Sequence, residues 1–307
     1  MEILVGDTGF VGGNIAVCHK FDMLCNSKNI SSAYGVEPEL LVYAGVPAEM
    51  FLANKDPNED KAITENAAAN IHKINPKRLV LISTIAVLDN PVSVDEDTPI
   101  DGNNLTAYGL NRLSLERLAA DSVADCHIIR LPALFGKGIK KNFIYDMINF
   151  FPTLLTETRY AELSSQESLI AESYAPQGNG FYKLVTVDSK RAELRSAFER
   201  VGFSALNFTD SRSVFQFYNL GYLWHHIETA TKHGIPLLHT ATEPLSAGEV
   251  YKYVCGKLFK NELAKPPLEY DYRTKYVGIF GGANSYIFGR ERVLTEIKDF
   301  VEGSKRE

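Results

Sequence analysis

Met1-Glu2-Ile3-Leu4-Val5-Gly6-Asp7-Thr8-Gly9-Phe10-Val11-Gly12-Gly13-Asn14-Ile15 opens the chain and reads as strand, glycine turn and helix. Ile3, Leu4 and Val5 form an apolar run without alternation, the pattern of a strand buried on both faces of a parallel sheet. Gly6, Gly9 and Gly12 follow at once. In such a turn the first glycine permits a tight bend, the second lets backbone approach a phosphate, and the third lets the helix pack closely on the strand. The first N–H groups of the helix, with the positive end of its dipole behind them, then face an anion. Gly6, Thr8, Gly9, Phe10, Val11 and Gly12 are the residues expected to line this cradle.

Further along, residues 21–26 read as a second strand, which places Asn26, Ser27 and Lys28 at its end. Residues 39–44 form another buried strand, closing in Ala44-Gly45-Val46. The connection between them is too short for a full helix. Residues 58–74 carry helical spacing and Pro76 closes them. Residues 78–87 then read as a strand that includes Ser83-Thr84, and ligands bind outside the carboxyl ends of strands in an open parallel sheet. Tyr108 and Arg112 are four residues apart, so on a helix they share a face. A phenol, with an ordinary pKa near 10, needs a cation beside it to ionise near neutrality. Residues 126–131 form the next strand, leading into Leu131-Pro132.

The G-x-x-G-x-x-G spacing, with Thr8 before the second glycine and Phe10 after it, resembles the extended short-chain dehydrogenase/reductase superfamily, specifically its NAD(P)-dependent epimerase/dehydratase-like branch. Ser83-Thr84 and Tyr108 with Arg112 follow in the order of that pattern. The resemblance fades between Phe151 and Asp210 and recovers beyond Val214. It implies an α/β fold, a Rossmann-type doubly wound parallel sheet with a smaller C-terminal substrate lobe. Residues 1–150 and 212–250 would form the dinucleotide-binding domain, and 151–211 with 251–307 the substrate lobe.

The resemblance also implies roles. Tyr108 would be the acid/base, Thr84 with Ser83 would polarise a substrate carbonyl, and Arg112 would bind the nicotinamide ribose and bias Tyr108 toward ionisation. Ala44, Gly45 and Val46 would line the adenine and ribose side, and Leu131 and Pro132 would border the nicotinamide. The cofactor would be NADP or NAD. NADP is preferred, because no acid follows the second strand to accept from a ribose hydroxyl, whereas Ser27 and Lys28 suit a 2′-phosphate. The expected activity is that of an oxidoreductase or epimerase on a small molecule, a sugar or nucleotide sugar changed at a carbinol or ketone by hydride transfer, and a homodimer is compatible with it. The sequence departs from the pattern at Arg112, where the superfamily has lysine, at Leu88 for an aromatic, and at Ala133 for an asparagine. Ile85-Ala86 fills the place of the dehydratases' acid pair, which disfavours dehydration. The arginine keeps the charge but is bulkier and does not release a proton. The alternative is therefore a non-catalytic NAD(P)-binding sensor or scaffold.

Composition agrees with an ordinary globular chain: 45% of the 307 residues are hydrophobic and 23% charged. The formal charge of −6 argues against nucleic acid as the main partner, since phosphate contacts need a basic face. No apolar run approaches membrane-spanning length, and the expected location is the cytoplasm. Cys18, Cys25, Cys126 and Cys255 include no C-x-x-C, so reduced, buried thiols are expected. His225-His226 are neighbours that point to different helix faces, and no metal is assigned. The aromatic tail, Tyr270, Tyr272, Tyr276, Phe280, Tyr286 and Phe288, is expected to pack the small lobe.

Overall fold

Ile3, Leu4 and Val5 lie in β1 (Glu2–Val5), and all three are at most 2% exposed. Burying each such side chain contributes about 1.5–3 kcal/mol, and here both faces of the strand are covered. The computed structural model describes residues 1–185 and 188–304. β1 is followed by α1 (Phe10–Cys18), β2 (Met23–Cys25), β3 (Leu40–Tyr43), α2 (Met50–Lys55), α3 (Pro57–Ile74), β4 (Arg78–Thr84), α4 (Ala107–Ser122) and β5 (Asp125–Leu131). With the later strand Leu237–His239 they form a six-stranded sheet, ordered Leu237–His239, β5, β4, β3, β1, β2, in which every pairing is parallel. The order reverses at β1 and β3, and the crevice outside the carboxyl ends there is where such sheets hold ligands.

Helices cover both faces. Ala67, Ile71 and Ile74 of α3 and Leu115 and Ala119 of α4 close one core with Ile3, Val5, Leu41, Leu79 and Leu81. On the other side, α1 contacts the helix Leu223–Lys232, and His19 stacks on Trp224 with ring centroids 3.9 Å apart. Asp56 caps α3 by accepting from the Glu59 amide, with Pro57 at the first position, and Asn75 ends the helix in the left-handed region. Between β2 and β3 there is only one 3₁₀ turn, Ile30–Ala33, in line with the trimmed connection.

The chain divides into two units. The first comprises Met1–Ile139, Val214–Leu245 and Leu268–Glu296; the second comprises Lys140–Ser213, Ser246–Pro267 and Ile297–Glu307. Residues 186, 187 and 305–307, which fall in the expected substrate lobe, lie outside the described residues. The sequence grouped all of 251–307 with the smaller lobe, whereas Leu268–Glu296 belongs to the first unit. The cause is pairing with a segment far away in the sequence. The Asp271 amide donates to Pro91 O, the Arg273 amide to Val94 O, and Tyr272 is fully buried in a cluster with Ile85, Leu88 and Ala241. The tail aromatics Tyr270, Tyr272 and Tyr286 therefore pack this cluster, and Phe288 stacks on Tyr218, all within the first unit.

The second unit has its own core of Phe151, Leu155, Leu163, Ile170, Tyr174, Leu194, Ala197 and Phe198. A three-stranded antiparallel sheet, with Phe181–Leu184 between Leu154–Thr156 and Tyr174–Pro176, lies beside the helices Glu157–Ser164 and Arg191–Arg200. One sequence-based boundary shortens: the fourth strand ends at Thr84, with a 3₁₀ turn over Ile85–Val87. The four cysteines are free, but Cys18 is exposed, so the expectation of buried thiols fails there. Among the described residues no helix is long and apolar enough to cross a membrane, and no group of three or more His, Cys, Asp or Glu side chains is arranged to hold a metal. His226 instead accepts or donates a 2.6 Å hydrogen bond with the buried Tyr218 hydroxyl.

Candidate active site

The glycine turn is tight enough to require its glycines. Gly6 has φ +97°, and a Cβ on it would lie 2.5 Å from Ala44 O. A Cβ on Gly12 would lie 2.1 Å from Gly6 O, so α1 rests directly on the turn that starts it. The Gly6 amide donates to Cys25 O and the Gly9 amide to Gly6 O, which fixes the bend against β2. Gly9 is the N-cap of α1 and no side chain caps the helix. The first-turn N–H groups of Phe10, Val11 and Gly12 thus present the positive end of the helix to the crevice. Uncapped N–H groups at a helix start are the arrangement that suits an anion such as a phosphate.

Asn26, Ser27 and Lys28 follow β2 as expected. Asn26 donates to Asp7 Oδ1 at 3.2 Å and accepts from the Lys28 amide, while Ser27 and Lys28 are exposed. Ala44, Gly45 and Val46 follow β3 beside the turn, and a Cβ on Gly45 would meet Val5 Cγ1 at 2.9 Å. Leu131 pairs in register with Thr84 at the ends of β5 and β4, with Pro132 next in the chain. The sheet therefore carries these residues at the carboxyl ends of neighbouring strands.

Thr84 ends β4 and accepts from the Ala86 amide at 3.1 Å, capping the 3₁₀ turn. Its hydroxyl also engages the Tyr108 phenol. Ser83 differs. Its hydroxyl donates to Glu116 Oε1 at 2.5 Å, and that carboxylate is held by the Arg130 guanidinium at 2.6 and 3.0 Å. Glu116 and Arg130 are 3% and 5% exposed. A carboxylate only accepts, so the Ser83 hydrogen points to Glu116 and its oxygen faces outward as an acceptor. Of the two hydroxyls, Thr84 is the one suited to donate to a carbonyl oxygen. Arg130 continues to His239 Nε2 at 3.1 Å, and His239 Nδ1 lies 3.0 Å from Arg273 O. Since a guanidinium only donates, His239 carries its proton on Nδ1. Burial, followed by the Arg130 charge, holds this imidazole down to about 4.

Tyr108 sits in the first turn of α4, with its amide donating to Asn54 Oδ1 at 3.0 Å. Thr106 caps the helix, and Gly109 lets it approach β4: a Cβ there would lie 2.2 Å from Ala86 O. The phenol is 95% covered, and burial pushes it above the ordinary phenol range. The Arg112 charge and hydrogen bonding with Thr84 and Arg112 oppose that rise, and the Asp60 charge reinforces it.

Arg112 lies against Tyr108 and is also held by a buried carboxylate. Its guanidinium lies over the face of the Tyr108 ring, 4.4 Å from the centroid. Two of its nitrogens donate to the two oxygens of Asp60 at 2.9 and 3.1 Å, and it also donates to Pro47 O at 2.7 Å. Asn111 donates to the same Asp60 oxygen at 2.9 Å. Asp60 and Arg112 are 6% and 5% exposed. The cation is thus held by α3 and by the loop after β3 before any ligand arrives. Sequence reading missed Asp60, Asn111, Asn54, Gly109, Glu116 and Arg130. Only Glu116, four residues beyond Arg112 on the same helical face, carried a signal in the spacing.

No protein-family model matches the sequence, and no curated protein matches it. Solved structures do match. A dTDP-4-dehydrorhamnose reductase from Clostridium acetobutylicum is similar with a TM-score of 0.64 and 14% identity, covering 98% of this chain and 100% of that one. RMD from Pseudomonas aeruginosa, complexed with NADPH, has a TM-score of 0.63 at 11% identity and covers 99% of both chains. Bordetella bronchiseptica WbmG, in complex with NAD and UDP, has a TM-score of 0.61 at 14% identity, covering 99% of this chain and 94% of that one. At these identities the likeness establishes the fold, a Rossmann-type parallel α/β sheet, along the whole chain.

Proposed function

We propose that the chain is an NAD(P)-dependent oxidoreductase of the extended short-chain dehydrogenase/reductase type, acting on the carbonyl or carbinol of a sugar that is nucleotide-linked. The observation that carries this reading is the meeting of Tyr108 with Thr84 at the carboxyl end of β4, on the same sheet edge as the glycine turn. The similar structures include proteins named as sugar-nucleotide reductases and solved with NADP, NADPH or NAD, which supports the same cofactor class.

Gly6, Thr8, Gly9, Phe10, Val11 and Gly12 would hold the dinucleotide's phosphates. Asn26, Ser27, Lys28, Ala44, Gly45 and Val46 would take its adenosine side, and Leu131 and Pro132 its nicotinamide side. When bound, the cofactor supplies or accepts a hydride. Thr84 donates a hydrogen bond to the substrate oxygen, and Tyr108 holds the proton exchanged with that oxygen. The first unit would thus carry cofactor and chemistry.

A second reading, binding without turnover, draws on Arg112, which is engaged by Asp60 rather than free for a ribose. Fluorescence titration with NADPH and NADH tests binding in both readings, and a broad panel of keto sugar nucleotides separates them. Failure of the whole panel in the parent, with turnover gained in Arg112→Lys, would sink the enzyme reading.

A further inference from the structure

Arg112 is the cation nearest the Tyr108 phenol, and its charge is matched by a buried carboxylate from another helix. Asp60 of α3 engages it at both oxygens, Asn111 supports that carboxylate, and Pro47 O takes a further N–H. The stack at 4.4 Å puts the guanidinium over the phenol ring, while the Asp60 charge lies close enough to act on the same phenol with the opposite sign. The groups facing Tyr108 are therefore Arg112 from its own helix, Asp60 from α3, the Thr84 hydroxyl from β4, and neutral Asn54 from α2. Asp60 thus offsets part of the pull that Arg112 exerts on the phenol, and burial outweighs both.

We propose that Asp60 is a positioning residue that ties Arg112 down and offsets part of its charge, so that Tyr108 rests as a neutral phenol and serves as a proton donor for carbonyl reduction. This rests on the oxidoreductase reading above. The chemistry separates the two directions. In reduction, the carbonyl carbon gains a hydride from a reduced nicotinamide dinucleotide, the C=O π pair moves to oxygen, and the oxygen takes the Tyr108 proton. The dinucleotide is oxidised by two electrons, and water returns a proton to the phenolate. An alkoxide is far more basic than a phenolate, so a neutral phenol suffices for this step. Oxidation of a carbinol needs the phenolate at the outset, and a buried phenol whose neighbouring cation is partly offset supplies little of it at neutral pH.

The test is a spectrophotometric titration of the full chain at 295 nm, with the Tyr108→Phe curve subtracted to isolate one tyrosine. In the parent, Tyr108 should ionise above the ordinary phenol range. In Asp60→Asn, measured against Asp60→Asn/Tyr108→Phe, its midpoint should move to lower pH. A parent midpoint at or below the ordinary range, or an unchanged midpoint in Asp60→Asn, overturns the proposal. If Asp60→Asn does not fold, ¹³Cζ-tyrosine NMR of the parent decides alone: a neutral Tyr108 signal through pH 9 supports it, and a phenolate signal there overturns it. No cofactor is present in these measurements, so failure to bind NADH and NADPH would overturn the oxidoreductase reading separately. With turnover in hand, the alkaline limb of kcat/KM for reduction should shift to lower pH in Asp60→Asn, whereas a merely structural residue would lower the rate without moving that limb.

Discussion

Gly109 of α4 lies so close to Ala86 that a Cβ on it would stand 2.2 Å from the Ala86 carbonyl oxygen. This contact sets the start of the tyrosine helix against the turn that Thr84 caps, and so brings the two hydroxyls together. Gly109→Ala must push backbone against backbone, at a cost of roughly 1–3 kcal/mol. Its Tm should fall by several degrees, and turnover should fall further than stability explains. Gly303→Ala, in a helix with open space around the new methyl, serves as control and should be neutral or slightly stabilising in the same thermal scan.

Gly12→Val should abolish dinucleotide binding, because its side chain would drive α1 off the Gly6 turn and displace the first-turn N–H groups. Gly9→Ala, whose Cβ would meet Gly6 O at 3.2 Å, should weaken binding less. Fluorescence titration with NADPH ranks the parent first, Gly9→Ala second and Gly12→Val last. Equal affinity of all three would remove the glycine turn from the site.

Glu116 and Arg130 form a buried pair beneath Ser83. Removing one partner strands the other charge, which typically costs about 3–5 kcal/mol. Glu116→Leu should therefore lower the urea midpoint sharply, while Glu116→Leu/Arg130→Met should recover much of the loss. An additive double variant would mean that the two side chains do not act as a pair.

His239 and His226 should make the fold sensitive to acid. Burial is the main cause in both: it lowers His239 to about 4 and His226 to about 3. The unfolded chain binds these protons near the ordinary histidine value of about 6.5, before the folded chain does. Stability is thus fully present above that value and declines as pH falls toward 4. Tm measured from pH 7.5 to 4.5 should drop, and the drop should be smaller in His239→Gln, whose amide can accept from Arg130 and donate to Arg273 O. A profile identical to the parent's would remove His239 from the cause.

Much of the fold was legible because its constraints are local. The run Ile3-Leu4-Val5 can only be a strand covered on both sides, and Gly6 and Gly12 occupy positions that admit no Cβ. Long-range placement was not legible. Spacing put Tyr108 and Arg112 on one face, but Asp60, which takes hold of Arg112, lies 52 residues earlier and its position on α3 announces nothing. The aromatic tail carried no sign that Asp271–Arg273 would pair with Pro91–Val94. A hydroxyl's direction is likewise invisible in sequence: Ser83 and Thr84 look alike until Glu116 and the Ala86 amide orient them.

The most direct test of the account is NADPH oxidation at 340 nm with the purified chain and a 4-keto sugar nucleotide such as dTDP-4-dehydrorhamnose, compared with Tyr108→Phe. The account predicts substrate-dependent loss of NADPH in the parent, absent in Tyr108→Phe while the variant still binds NADPH. Turnover that survives unchanged in Tyr108→Phe would contradict it.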